Sequence, residues 1–225
     1  MSSDDDRWAR AYDRAEKLTA AKLGPEGDGR ADWDHHGVRA MLAITLYAVS
    51  LRDDLDASEV TLSRLLVPLL DRDEFQAQAA TLTTAGHDLN RSAECADPVV
   101  QQWHWLHRTW DPSVPPATRW DGMTRGIARG LPDPAIDVLH GWARSAITTP
   151  LAQERNAFPH RTTVTITAGP HRGGVGRVEG HDYDRDPTDP HDLAPGPPPR
   201  YAINLGADHG YHTELIAAEH LSPID

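Results

Sequence analysis

The sequence predicts an α+β protein in which an all-helical N-terminal domain, residues 1–150, precedes a small β-barrel domain, residues 151–225. Two observations predict this division. Up to Ile147, apolar residues recur at spacings of three and four, which is typical of helices. Beyond Pro150, valine and isoleucine alternate with threonine, which is typical of half-buried strands. A chain of 225 residues, 39% of them hydrophobic, is long enough for one large domain or two small ones.

The first two predicted helices differ in where their apolar residues lie. Over residues 4–23, Trp8 and Leu18 share one face, and Gly24–Pro25 ends the helix. Residues 35–51 are apolar on nearly every side of a helix. A helix with that composition is expected to be buried, so we predict that it forms the centre of the domain.

The remaining helical predictions have less regular patterns. Leucines cluster over residues 58–70, where Pro68 should bend or shorten the last turn. Residues 73–89 are rich in alanine and threonine, and residues 98–110 carry tryptophans at helical spacing. Two short helical segments are predicted around 123–128 and over 134–147.

After a proline-containing linker at residues 148–161, four or five short strands are predicted. They are expected at residues 163–167, 175–179, 200–205, 212–217 and 221–224. Between the second and third strands lies a proline-rich insert, residues 181–200, which we predict to be exposed and mobile because proline cannot donate a backbone hydrogen bond. Strands of this number and length fit a small barrel, which removes exposed sheet edges by closing.

Composition restricts the classes of function. The 22 Lys and Arg residues against 34 Asp and Glu give a formal charge of −12, which weighs against sequence-independent binding to nucleic acid. Cys95 is the single cysteine, which excludes an internal disulfide and a cysteine-rich metal site. The apolar stretches are too short to span a bilayer, and the acidic first residues are unlike a signal peptide. We therefore expect a cytoplasmic protein without a membrane partner.

A glycine-rich segment of the predicted barrel resembles a known family. Residues 164–180 read VTITAGPHRGGVGRVEG, which resembles the KOW motif of ribosomal proteins and NusG-type transcription factors. That motif joins an alternating strand, a glycine-containing loop with a basic residue, and a Gly-x-Val that opens the next strand. Its elements fall here on Val164, Ile166, Gly169, Arg172, Gly173, Gly176 and Val178. The resemblance implies a small SH3-like barrel.

The loop of this motif is the predicted partner-binding site. Glycine permits the positive φ angles of a tight loop at Gly169 and Gly173, and a close approach of two backbones at Gly176. The predicted site residues are Gly169, His171, Arg172, Gly173, Gly176 and Arg177, with the insert as a second contact segment.

The charge of the second domain bears on the kind of partner. Residues 151–225 contain six arginines and eleven acidic residues, so a protein partner is favoured over nucleic acid. We expect a non-enzymatic binding or regulatory protein that acts in a transcription or translation complex and needs no cofactor.

Two alternative functions stay open. One is direct contact of the barrel with RNA or DNA. The other follows from a weaker similarity of Gly173–Val178 and Tyr201–Ile203 to the β-subunit of nitrile hydratase and related accessory proteins, which implies an accessory subunit or a metal-dependent enzyme. The chain has 13 histidines, whose imidazoles can bind zinc, iron or manganese. The candidate metal ligands are His35, His36, His209 and His212.

Overall fold

The computed structural model describes residues 3–24, 32–70, 72–91, 95–103, 134–206 and 212–224. The chain divides into two compact units, residues 1–147 and 148–225. Helices fill the first unit, and a five-stranded antiparallel sheet forms most of the second, so the mixed helix-and-sheet class is confirmed. The segment around 123–128, predicted to be helical, and the candidate ligand His209 lie outside the described residues. No helix of the described part of the chain is long and apolar enough to cross a membrane.

The helices are α1 Ser3–Leu23, α2 Asp32–Arg52, α3 Leu62–Leu70, α4 Arg72–Thr84 and α5 Pro134–Glu154, and residues 98–103 are also helical. The second helix, α2, is the centre of the first unit, because Met41, Leu42 and Ile44 on different sides of it are all fully buried. The first helix packs on it through the ring of Trp8, whose centroid lies 5.5 Å from that of Tyr47 in an edge-on arrangement. The prediction of a buried central helix is confirmed.

The third helix begins later than the sequence predicts. Residue 58 was expected to start it, but the Asp56 carboxylate accepts hydrogen bonds from the backbone N–H and the hydroxyl of Ser58 at 2.9 and 2.6 Å. These bonds form a local turn, as aspartate side chains often do. The helix begins at Leu62, and the Thr61 hydroxyl accepts a bond from the Arg64 N–H at 3.3 Å as the cap.

The last helix ends later than predicted. The helical segment was expected over residues 134–147, but α5 continues through Pro150 to Glu154. Leu151 and Ala152 are buried directly after the proline, and burial of these side chains offsets the helical hydrogen bond that proline cannot donate. The predicted linker at residues 148–161 is therefore helical in its first half.

The sheet contains β1 Thr163–Ile166, β2 Val175–Asp182, β3 Arg200–Asn204, β4 Thr213–Ala217 and β5 Leu221–Pro223, in the order β4-β3-β2-β1-β5. Alternate residues point into one core, in which Val164, Ile166, Val178 and Ile203 are at most 1% exposed. A 3₁₀ turn, Ala218–His220, connects β4 to β5. Among the described residues, β4 and β5 do not pair with each other, so the sheet is not closed.

Most of the proline-rich insert is exposed, as predicted, but a few of its residues are buried and anchor it. Tyr183 and Leu193 are buried, and a β-bridge joins Arg185 to Leu193. The Arg155 guanidinium donates a hydrogen bond to the Ala194 carbonyl and lies 5.3 Å from the centroid of the Tyr183 ring. Tyr183, Leu193 and Arg155 therefore hold the insert in place without regular strands. The proline content of the insert does not predict these contacts.

Candidate functional site

The β1–β2 loop, residues 167–174, has a backbone that is fixed by its own hydrogen bonds. Ile166 donates to the Gly174 carbonyl at 2.9 Å, and Gly173 donates to the Ile166 carbonyl at 2.7 Å. Inside the loop, Arg172 donates to Gly169 at 3.2 Å and Gly174 donates to His171 at 2.9 Å. Gly169 and Gly173 have φ angles of 83° and 87°, which side-chain-bearing residues rarely adopt. The loop therefore holds one defined shape.

Gly176 lies in β2 and faces the core rather than the loop surface. A Cβ atom at this position would lie 2.3 Å from Ile203 Cγ2 and 3.1 Å from the Asn204 carbonyl oxygen. The close approach expected at this glycine is present, and it brings β2 against β3. Gly176 thus supports the site by packing and does not present itself to a partner.

The two arginines of the predicted site differ in their surroundings. The Arg177 side chain is 55% exposed, and its Nε donates to Glu179 at 2.9 Å. Arg172 is exposed at the turn of the loop, and its side chain has no hydrogen bond or ion pair with any residue that the structure describes. Arg172 is therefore the residue of this pair whose guanidinium can bind a partner without first losing an ion pair.

His171 meets two residues of the β4 region to form what we call the histidine cluster, His171, His212 and Glu214. The two imidazoles donate from Nε2 to different oxygens of the Glu214 carboxylate, each at 2.8 Å. The pKa of Glu214 lies below its usual range, mainly because its carboxylate accepts the hydrogen bond from His212. The bond from His171 adds to this effect, and partial burial opposes it. The sequence singles out both histidines but not Glu214, which lies 43 positions from His171.

The loop and the insert lie at opposite ends of β2. The strand begins at Val175, directly after the loop, and ends at Asp182, where the insert departs. Eight residues of strand separate the two segments by roughly 25 Å. The two predicted contact segments therefore leave β2 at opposite ends, and the loop meets the start of β4.

His35 and His36 do not form a joint metal site among the described residues. His35 is 4% exposed and donates from Nε2 to the Gly24 carbonyl at 3.0 Å, so it caps the end of α1. Its neighbour His36 is exposed and accepts a bond at Nδ1 from Arg39 at 2.7 Å. Adjacent residues of a helix point in different directions, which explains the separation.

The first unit contains a second arrangement, Tyr47, His87 and Asp97, which we call the buried triad after its buried tyrosine. The side chains of His87 and Asp97 are 16% and 28% exposed. The Tyr47 hydroxyl lies 3.0 Å from His87 Nε2, and His87 Nδ1 donates to Asp97 at 2.8 Å. The other Asp97 oxygen accepts from the backbone N–H groups of Val99 and Val100. Burial opposes ionisation of Asp97, but these bonds outweigh it and keep its pKa below the usual range.

The buried triad resembles a catalytic relay in its connectivity but not in its access. Tyr47 is 1% exposed, so its hydroxyl cannot meet a substrate, and we assign the triad to stability. The candidate functional site is the β1–β2 loop with Arg172, together with the partly exposed histidine cluster beside it. No family model matches the chain, and no curated protein or solved structure matches it either.

Proposed function

We propose that this chain is a binding protein whose second unit, an SH3-like barrel with a KOW motif, engages a protein partner through the β1–β2 loop. The observation that carries the proposal is the contrast within the loop. Its backbone is held by four hydrogen bonds, while the Arg172 side chain is exposed and has no partner among the described residues. A rigid loop with an available guanidinium binds at a low cost in conformational entropy.

The barrel part of the proposal is supported by the connection between the two edge strands. In a flat five-stranded sheet these edges would lie about 19 Å apart. The path from Ala217 to Leu221 covers four Cα steps, which reach at most about 14 Å. Its 3₁₀ turn also bonds to both halves of the sheet, since Ala218 donates to the Pro199 carbonyl and Thr167 donates to the His220 carbonyl. This short connection supports a sheet that curls toward closure.

The surface near the loop favours protein over nucleic acid. Val175, which directly follows the loop, is 53% exposed. Protein interfaces are enriched in arginine and apolar side chains, whereas nucleic-acid interfaces need many cations. Residues 151–225 carry eleven acidic residues against six arginines. A partner in a cytoplasmic transcription or translation complex is the form of this proposal that the KOW resemblance supports.

The test compares two charge reversals in the full-length chain. Arg172→Glu changes the loop, and the matched control Arg161→Glu changes an exposed arginine that precedes β1, at the far end of that strand. We expect quantitative pull-downs from cell extract to recover a protein with the wild type and the control. Arg172→Glu should reduce that recovery on the order of tenfold, as loss of a central interface arginine does.

Three outcomes would contradict the proposal. Recovery that is equal for all three chains would exclude the loop as the contact. Equal loss with both variants would indicate a general charge effect. Recovery that nuclease abolishes, together with retention on RNA that falls with added salt and with Arg172→Glu, would favour the nucleic-acid alternative.

A further inference from the structure

We infer that the histidine cluster, His171, His212 and Glu214, binds a divalent transition-metal ion, with zinc as the best fit. This inference does not depend on the partner proposed for the loop. It rests on three features of the cluster: the spacing of its ligand atoms, the way the backbone holds its members, and its donor chemistry.

The ligand atoms converge. One ring nitrogen from each histidine and one carboxylate oxygen lie within 4.8 Å of one another. Both Nε2 atoms already face the same carboxylate at 2.8 Å. Ligands of one tetrahedral zinc ion lie roughly 3.4 Å apart, because its bonds are about 2.0–2.2 Å long. Small side-chain rotations would therefore place all three groups around one ion. Each imidazole that binds through Nε2 would carry its proton on Nδ1 instead.

The backbone at each ligand is fixed by hydrogen bonds. The His171 carbonyl accepts from Gly174 at 2.9 Å, and the His212 carbonyl accepts from Leu205 at 3.1 Å. Glu214 lies in β4 in register with Ile203 of β3. Because its ligands are already positioned, the site would need little ordering when an ion arrives.

The donor set selects the class of ion. Two imidazoles and one carboxylate suit zinc and related transition metals, whereas calcium and magnesium prefer sites built of oxygen ligands. His212 and Glu214 have side chains that are 44% and 41% exposed, so solvent can supply a fourth ligand. Such a three-ligand site leaves one coordination position open.

A second histidine–glutamate pair in the same unit lacks the features of a metal site. His160 Nε2 lies 3.3 Å from the Glu179 carboxylate, but the other carboxylate oxygen accepts from Arg177. A guanidinium in the place of a second imidazole repels a cation. Within the described ranges, no other three His, Cys, Asp or Glu side chains bring their ligand atoms as close together.

The test measures zinc binding to the full-length chain after treatment with chelator. Titration of Zn²⁺ against a chromophoric chelator should give one bound ion per chain. Glu214→Gln and His171→Gln should each weaken that binding at least on the order of tenfold, since even changes to groups that only support metal ligands cost 10–100-fold. His160→Gln is the matched control and should bind like the wild type. Co²⁺ should give visible absorption bands that report nitrogen and oxygen ligation, and they should disappear in Glu214→Gln.

Zinc should also raise the melting temperature of the wild type, because an ion that binds only the folded state stabilises it. That rise should be absent in both cluster variants and should be reversed by chelator. The inference would be overturned by absence of stoichiometric binding, by binding that survives both cluster substitutions, or by a loss in His160→Gln as large as in the cluster variants. Arg172→Glu separates this inference from the proposed function, because it should impair partner binding and leave zinc binding in place.

Discussion

The two histidine–carboxylate arrangements of this chain share a chemistry and differ in their surroundings. In the buried triad, His87 bonds to Tyr47 on one side and Asp97 on the other, and Asp97 also caps helical residues 98–103. In the histidine cluster, two partly exposed imidazoles bond to one carboxylate near the sheet's edge. In the first arrangement the carboxylate stabilises the fold, because its second oxygen accepts bonds from backbone N–H groups. In the second arrangement the His212 and Glu214 side chains are 44% and 41% exposed to solvent. The His87 and His171 side chains are similarly exposed, at 16% and 18%. The second partner of each carboxylate, a helix N-terminus for Asp97 and another imidazole for Glu214, therefore separates the stabilising role from the binding role.

The largest effect is expected from Asp97→Ala. This change removes the helix cap and leaves His87 without its carboxylate, so we expect the free energy of unfolding to fall by about 2–3 kcal/mol. Urea unfolding followed by circular dichroism measures it. The control is Asp88→Ala, an exposed aspartate whose bond is to Asn90, for which a loss under about 1 kcal/mol is expected. Equal losses would show that Asp97 has no special role.

Two buried tyrosines provide the next contrast. The Tyr47 hydroxyl bonds to His87, whereas the Tyr183 hydroxyl is buried and has no hydrogen-bond partner among the described residues. Burial raises the pKa of Tyr183 to about 12. We expect Tyr47→Phe to destabilise by about 1 kcal/mol and Tyr183→Phe to be neutral or stabilising, because an unpaired buried hydroxyl only costs desolvation. The same unfolding measurement decides, and destabilisation by Tyr183→Phe would reveal a partner for that hydroxyl.

The strand pattern of the second unit could be predicted from the sequence because it is local. Val164 and Ile166 alternate with threonines, and the glycine spacing identifies the β1–β2 loop. Each of these signals needs only neighbouring residues. The end of α5 could not be predicted in the same way, because the cost of Pro150 is local while the burial of Leu151 that offsets it depends on tertiary packing.

The candidate site was predicted in part for a similar reason. The sequence predicts His171 as a residue of the β1–β2 loop and His212 as a candidate metal ligand. Glu214 is identified as a site residue only by the structure, in which β4 pairs with β3 and the Glu214 carboxylate contacts His171 of the loop. Sequence spacing alone does not encode a contact across 43 positions without a repeat or a motif.

The buried triad should also give the fold a dependence on acid. Because the pKa of Asp97 is lower in the folded state than in the unfolded chain, the unfolded chain takes up the proton first as pH falls. The stabilisation is fully present above about pH 4, the unfolded pKa, and is lost as pH falls through the folded value. Unfolding measured between pH 6 and pH 2 should show a shallower acid decline for Asp97→Asn than for the wild type. Parallel curves would assign the decline to other carboxylates.

The smallest effect on stability is expected from a substitution in the histidine cluster. Glu214→Gln in the presence of chelator should change the free energy of unfolding by no more than about 0.5 kcal/mol, because its carboxylate is 41% exposed and both imidazoles can bond to water instead. The same unfolding series as for Asp97→Ala supplies the measurement. A loss above about 1 kcal/mol would make the histidine cluster a second structural arrangement. A change in unfolding free energy near zero, together with loss of zinc binding, would show that Glu214 binds the ion without stabilising the fold.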